Sequence, residues 1–119
     1  METRNSSISF YYKEGRIRLS YSALERLGKP KYIRFLLSIL ENKIIIMGSE
    51  TKDSDCVKVN YSLKALSRGL LIYSKLFVEK IFISADWNLY EIYIVNIEFD
   101  ENKGVYEANL RNATKAKKK

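Results

Sequence analysis

The chain has 119 residues, enough for one compact domain, and its 46% hydrophobic and 29% charged residues exclude a disordered chain. It has no histidine and a single cysteine, Cys56, so a Ser–His–Asp triad, a Cys–His dyad, a His-ligated or Cys-rich metal site and an intrachain disulfide are all excluded. The net charge is +7, and five of the positive charges (Arg111, Lys115, Lys117, Lys118 and Lys119) fall in the last nine residues with no acidic neighbour.

The first residues, METRNSSIS, are polar and resemble neither a signal nor a transit peptide. The next stretch, SISFYYKEGRIRLS, predicts two short strands. Ile8, Phe10 and Tyr12 alternate with polar positions, residues 13–15 turn, and Ile17 and Leu19 alternate with Arg16 and Arg18. Ser20 is placed as an N-cap, and residues 21–27 follow as a short helix with Ala23, Leu24 and Leu27 toward the core. Gly28 suits the left-handed helix end, and Pro30 blocks continuation. Residues 32–39 and 44–47 predict a β-hairpin around ENK, and the polar SETKDSD separates the halves.

In the second half, CVKVNYSL predicts a strand, KALSR a turn or strand end, and GLLIY another strand. Ser74 is a second N-cap, and residues 75–82 a second helix. ISADWN is a loop with Trp87 packed beneath it. LYEIYIVNIEF alternates as a strand, turns at DENKG and closes with VYEANL. None of the apolar runs is long enough to span a membrane, so no membrane contact and a cytoplasmic location are expected. Cys56 is expected as a small buried or half-buried residue. The glycines stand singly, so no phosphate-binding loop is present. No catalytic residue, metal or cofactor is expected.

A shift of 54 positions lays Gly15 on Gly69, Ile17 on Leu71, Ser20 on Ser74, Leu24 on Val78, Glu25 on Glu79 and Leu27 on Ile81. Both stretches then run strand, capping serine, short helix and hairpin, and the second hairpin's ENK follows the first at an offset of 60. This predicts one domain over residues 1–110, made of two repeats at about 8–48 and 57–110 that share one core, followed by a solvated basic tail over residues 111–119.

The stretch GRIRLSYSALERLG resembles the helix-entry segment of the AbrB/MraZ family of swapped-hairpin transcription factors, through Gly15, Arg16, Ile17, Leu27 and Gly28. It departs where Ser20–Tyr21 replaces the family's usual Ile-Pro. The second half departs further, with Leu70 at the place of Arg16 and Phe82 at that of Gly28. The resemblance implies an α+β, β-rich fold in which two β-helix-β-hairpin units form a pseudo-dimeric, swapped-hairpin-like barrel. It also implies DNA binding through arginines of this region, and Arg16 and Arg18 match.

The charge is polarised. Residues 13–34 hold Lys13, Arg16, Arg18, Arg26, Lys29, Lys31 and Arg34 against only Glu14 and Glu25. Guanidinium forks suit phosphates and guanine edges, and Tyr11, Tyr12 and Tyr21 lie close enough in sequence to stack on bases. The expectation is a small DNA-binding transcriptional regulator that contacts duplex DNA through these seven residues. The lysines of the tail would add non-specific attraction, and a homodimer would restore a second reading face. The alternatives are a non-catalytic protein-binding module, such as an inhibitor from a mobile element that docks on a host protein, and an RNA-binding sheet.

Overall fold

Period-two burial organises the first hairpin. Strand β1 (Ser6–Tyr11) buries Ile8 and Phe10, and β2 (Arg16–Leu19) buries Ile17 and Leu19 while Arg16 and Arg18 remain half-exposed. The computed structural model describes residues 6–52, 56–62 and 69–116. The chain continues with α1 (Tyr21–Arg26), β3 (Tyr32–Ser38), β4 (Lys43–Ser49), β5 (Cys56–Lys58), β6 (Leu70–Tyr73) and α2 (Lys75–Ala85). Then come β7 (Ile92–Asp100), β8 (Val105–Asn109), a 3-10 turn (Leu110–Asn112) and β9 (Thr114–Lys115). The turn or strand end expected over KALSR begins at Lys64 and lies outside the described residues.

All neighbouring strands pair antiparallel, in the order β5-β3-β4-β8-β7-β1-β2-β6, with β9 added to β7 beyond the end of β8. The sheet curls into a nearly closed barrel whose two terminal strands are β5 and β6. Inward residues of most strands fill it: Ile8, Phe10, Ile17, Ile33, Ile46 and Val95 are among those fully or almost fully buried. The helices supply Leu24 from α1 and Val78, Ile81 and Phe82 from α2. Phe82 is ringed by Tyr12, Trp87 and Tyr93, with centroids 5.2, 5.2 and 5.7 Å away, and Trp87 stacks flat on Tyr93 at 4.3 Å. Trp87 therefore packs under its loop as its sequence context suggested.

The segment after Pro30 forms the expected strand, and both its edges find partners: Tyr32–Ser38 pairs with β4 along its length and with β5 at Tyr32–Arg34. Gly28 ends α1 at φ 84, where its N–H bonds Glu25 and the next N–H, of Lys29, bonds Leu24. Three expectations are corrected. Ser20 and Ser74 precede the helices, but neither hydroxyl caps its own helix. Ser20 Oγ instead accepts the backbone N–H of Ser7 at 3.0 Å, tying the helix entrance to β1. Helix α2 runs three residues past Phe82 and stops at Asp86, whose φ of 56 places it in the left-handed region, while the Trp87 N–H bonds the Phe82 carbonyl. The chain also stays in the fold past Leu110. Leu110 is buried, Ala113 packs against the core, β9 lies beside Tyr93 and Ile94, and the Ala116 N–H bonds Ile92 at 2.8 Å. Two apolar anchors within a basic stretch thus hold residues 110–116 to the sheet.

Candidate nucleic-acid interface

Cross-strand neighbours in an antiparallel pair share a face. Arg16 stands directly between Tyr11 of β1 and Tyr73 of β6, so these three side chains form one row across the outside of the sheet. The Arg16 guanidinium lies over the Tyr11 ring, 4.0 Å from its centroid, and 3.8 Å from Glu14. Stacking on an aromatic face restrains a side chain that would otherwise sample many rotamers. Arg18, two residues on, occupies the next outward position, between Ser9 and Leu71. Lys13 is exposed on the turn that leads into this strand, a turn closed by the Gly15 N–H on the Tyr12 carbonyl.

The remaining sequence-predicted residues occupy other elements. Arg26, in the last turn of α1, is exposed and bonded to Glu101 at 3.0 Å, and it covers Phe99 with its centroid 4.5 Å away. That contact draws it toward the turn between β7 and β8, away from the Arg16 row. Lys29 is exposed, with Nζ 5.9 Å from the Tyr21 ring. Lys31 is exposed, and its backbone N–H donates to Glu50. Arg34 points outward on β3, between Met47 and Cys56. Strands β2 and β3 are not hydrogen-bonded neighbours; each lies one strand in from the open ends of the sheet. The structure thus brings Arg16 and Arg18 onto one face, and sets Arg34 on the far side of the opening between β6 and β5.

Two features escaped the sequence reading. Tyr73 completes the Arg16 row and is 66% exposed. Its only sequence signal was an aromatic residue at the end of GLLIY, and the pairing of β2 with β6 gives it meaning. Lys58 is exposed on β5 and extends the basic band beyond Arg34.

Negative charge gathers elsewhere. A polar groove of about 570 Å³ on the outside of β4, β8 and β7 is bordered by Glu41, Glu98, Asp100 and Glu107. Lys43 sits among them, 3.3 Å from Glu107 and 3.4 Å from Glu41. The Glu107 hydrogen bond holds the Lys43 ammonium above its ordinary pKa. Glu98 and Glu107 are direct cross-strand neighbours. This face repels a polyanion, whereas the Arg16 row attracts one.

Among the described residues no group of three or more Cys, Asp or Glu side chains is placed to hold a metal ion, and no helix is long and apolar enough to cross a membrane. No protein-family model, curated protein or solved structure matches the chain.

Proposed function

We propose that this chain is a small DNA-binding protein, a transcriptional regulator, that grips the duplex through the basic outer face of β2 and its flanks. The observation that carries this reading is the row Tyr11–Arg16–Tyr73 with Arg18 beside it. Two guanidinium groups stand side by side on one strand, one of them held by an aromatic ring, on a barrel whose carboxylates gather around a different set of strands. Lys13 extends the contact at the turn. Lys29, Lys31 and Arg34 add positive potential along the backbone, and Arg26 does so once it leaves Glu101.

The architecture that fits this role is two β-helix-β-hairpin units exchanging hairpins within one chain. Several observations support it. The shift of 54 lays the start of α1, Tyr21, on the start of α2, Lys75, and the buried Leu24 on the buried Val78. Each hairpin pairs outside its own half, since β4 lies beside β8, β3 beside β5 and β7 beside β1. Gly15 and Gly69, equivalent under the shift, each press against the helix entrance of the other half. A Cβ on Gly15 would meet Lys75 Cα at 2.9 Å, and one on Gly69 the Leu19 carbonyl oxygen at 2.6 Å. The halves differ in charge, because Leu71 and Tyr73 point outward from β6 where β2 presents arginines. A single chain then offers one reading face, and a homodimer would offer two.

The test is duplex-DNA binding by the Arg16→Ala, Arg18→Ala double variant. Losing two phosphate contacts lowers the slope of log affinity against log salt by about two, and weakens binding to every duplex sequence tested. An unchanged affinity would remove these arginines from the interface. Competition by single-stranded RNA stronger than by duplex DNA would assign the face to RNA instead.

A further inference from the structure

Strands β5 and β6 end the sheet. Among the described residues β5 pairs only with β3 and β6 only with β2, so each leaves one backbone edge without a strand beside it. A cleft of about 420 Å³ lies between them. Ile17 and Ile72 form one wall, Phe35 and Val57 the other, and Phe77 of α2 adds to the apolar lining. Its surroundings are apolar as well. Leu36 lines it at 41% exposure, and Leu76, next to Phe77, is 75% exposed. Unpaired edges invite another strand unless prolines, charges or bulges block them. Neither edge strand contains proline, and Lys58 is the only charged residue on either.

The strands around this cleft are cationic, and the carboxylate of Glu14 stands 3.8 Å from Arg16 at one side. The four strands that frame it, β2, β6, β3 and β5, carry Arg16, Arg18, Arg34 and Lys58 and no carboxylate. We propose that the cleft receives an extended acidic segment of a partner protein, added as a strand between β5 and β6. Its alternate apolar side chains seat in the cleft, and the intervening carboxylates face the four cations. A strand alternates its side chains with period two, so one short segment meets both demands while its backbone bonds the free edges. Among the described residues the apolar–acidic alternation Ile97 to Asp100 is already paired with β8, and the proposal takes the segment from another protein. Duplex DNA shares the negative charge but has neither the strand backbone nor the apolar side chains that the cleft fits.

Cys56, the only cysteine, lines the cleft and reports on its occupancy. The probe is a synthetic peptide of about eight residues, an ordinary strand length, alternating valine and glutamate. Its controls are an alternating valine–lysine peptide and a backbone N-methylated valine–glutamate peptide. Binding to the full chain is measured by fluorescence anisotropy, and Cys56 accessibility by its rate of alkylation with N-ethylmaleimide. The valine–glutamate peptide is expected to bind saturably and to slow alkylation in proportion to its occupancy, while neither control does. Lys58→Glu, on the exposed edge, is expected to weaken it about tenfold by turning an attraction into a repulsion. The proposal is overturned if the lysine or N-methylated peptide binds as well. It is also overturned if Lys58→Glu leaves binding unchanged, or if duplex DNA protects Cys56 as fully as the peptide does. Because peptide binding and its protection of Cys56 are read in the absence of DNA, this proposal and the DNA reading can fail separately.

Discussion

Two glycines with the same backbone angle are expected to respond differently to alanine. Gly28 and Gly69 both have φ 84, in the region L side chains avoid. A Cβ on Gly28 meets nothing within 4 Å, whereas one on Gly69 meets the Leu19 carbonyl oxygen at 2.6 Å. Gly28→Ala then carries only the conformational term, about 1 kcal/mol, while Gly69→Ala adds a clash with backbone and exceeds about 3 kcal/mol. Urea denaturation of the two variants measures the difference, and equal losses would show that Gly69 is not pressed against the first half. Tyr61 makes a second residue-scale prediction. Its hydroxyl donates to the Pro30 carbonyl, and burial, reinforced electrostatically by the neighbouring Tyr21 and Glu50, pushes its pKa from 10.0 to about 12. The folded state holds this proton more tightly than the unfolded chain does. Its contribution to stability is therefore complete below pH 10 and is lost as pH rises toward about 12. Thermal unfolding across that window should fall more steeply for the natural chain than for Tyr61→Phe.

At the scale of elements, the C-terminal segment carries a sharper expectation than a basic tail would. Thr114–Lys115 pairs with Tyr93–Ile94, and Leu110 and Ala113 contact the core. A chain ending at Leu110 loses these strand bonds and is expected to be about 1–3 kcal/mol less stable than one ending at Ala116, as denaturant midpoints would show. Equal midpoints would mean that β9 adds nothing to the fold. This segment also shows where sequence reading stops. The first hairpin, the short helix with its glycine end, and the hairpin after Pro30 were legible, because apolar period and turn residues lie within a few positions of each other. In residues 111–119 the lysines dominate the composition, and two alanines, with Leu110 just before them, give no period to read. The serine hydroxyls misled for a related reason: the position before a helix is visible in sequence, but the competing Ser7 N–H comes from a strand whose placement is tertiary. The same limit hid the role of Tyr73 and the cleft between β5 and β6. Both depend on pairings such as Arg16 with Tyr73, which join residues far apart in the chain.

Across the whole molecule, charge and connectivity follow one division. Cations border the open ends of the barrel, on β2, β3 and β5, and carboxylates border the groove over β4, β8 and β7. The basic segment seen in sequence thus becomes a band only when the sheet brings both its ends round, and that step could not be read from charge spacing alone. The band, more than the C-terminal lysines, is the centre of the functional account. The most direct measurement is fluorescence anisotropy of a labelled duplex at two salt concentrations, comparing the full chain with a variant in which Lys117, Lys118 and Lys119 are serine. The account predicts binding that persists in the serine variant and still weakens steeply with salt, because the arginines of β2 remain. Binding that vanishes with the three lysines would contradict it, leaving the folded body without a nucleic-acid face.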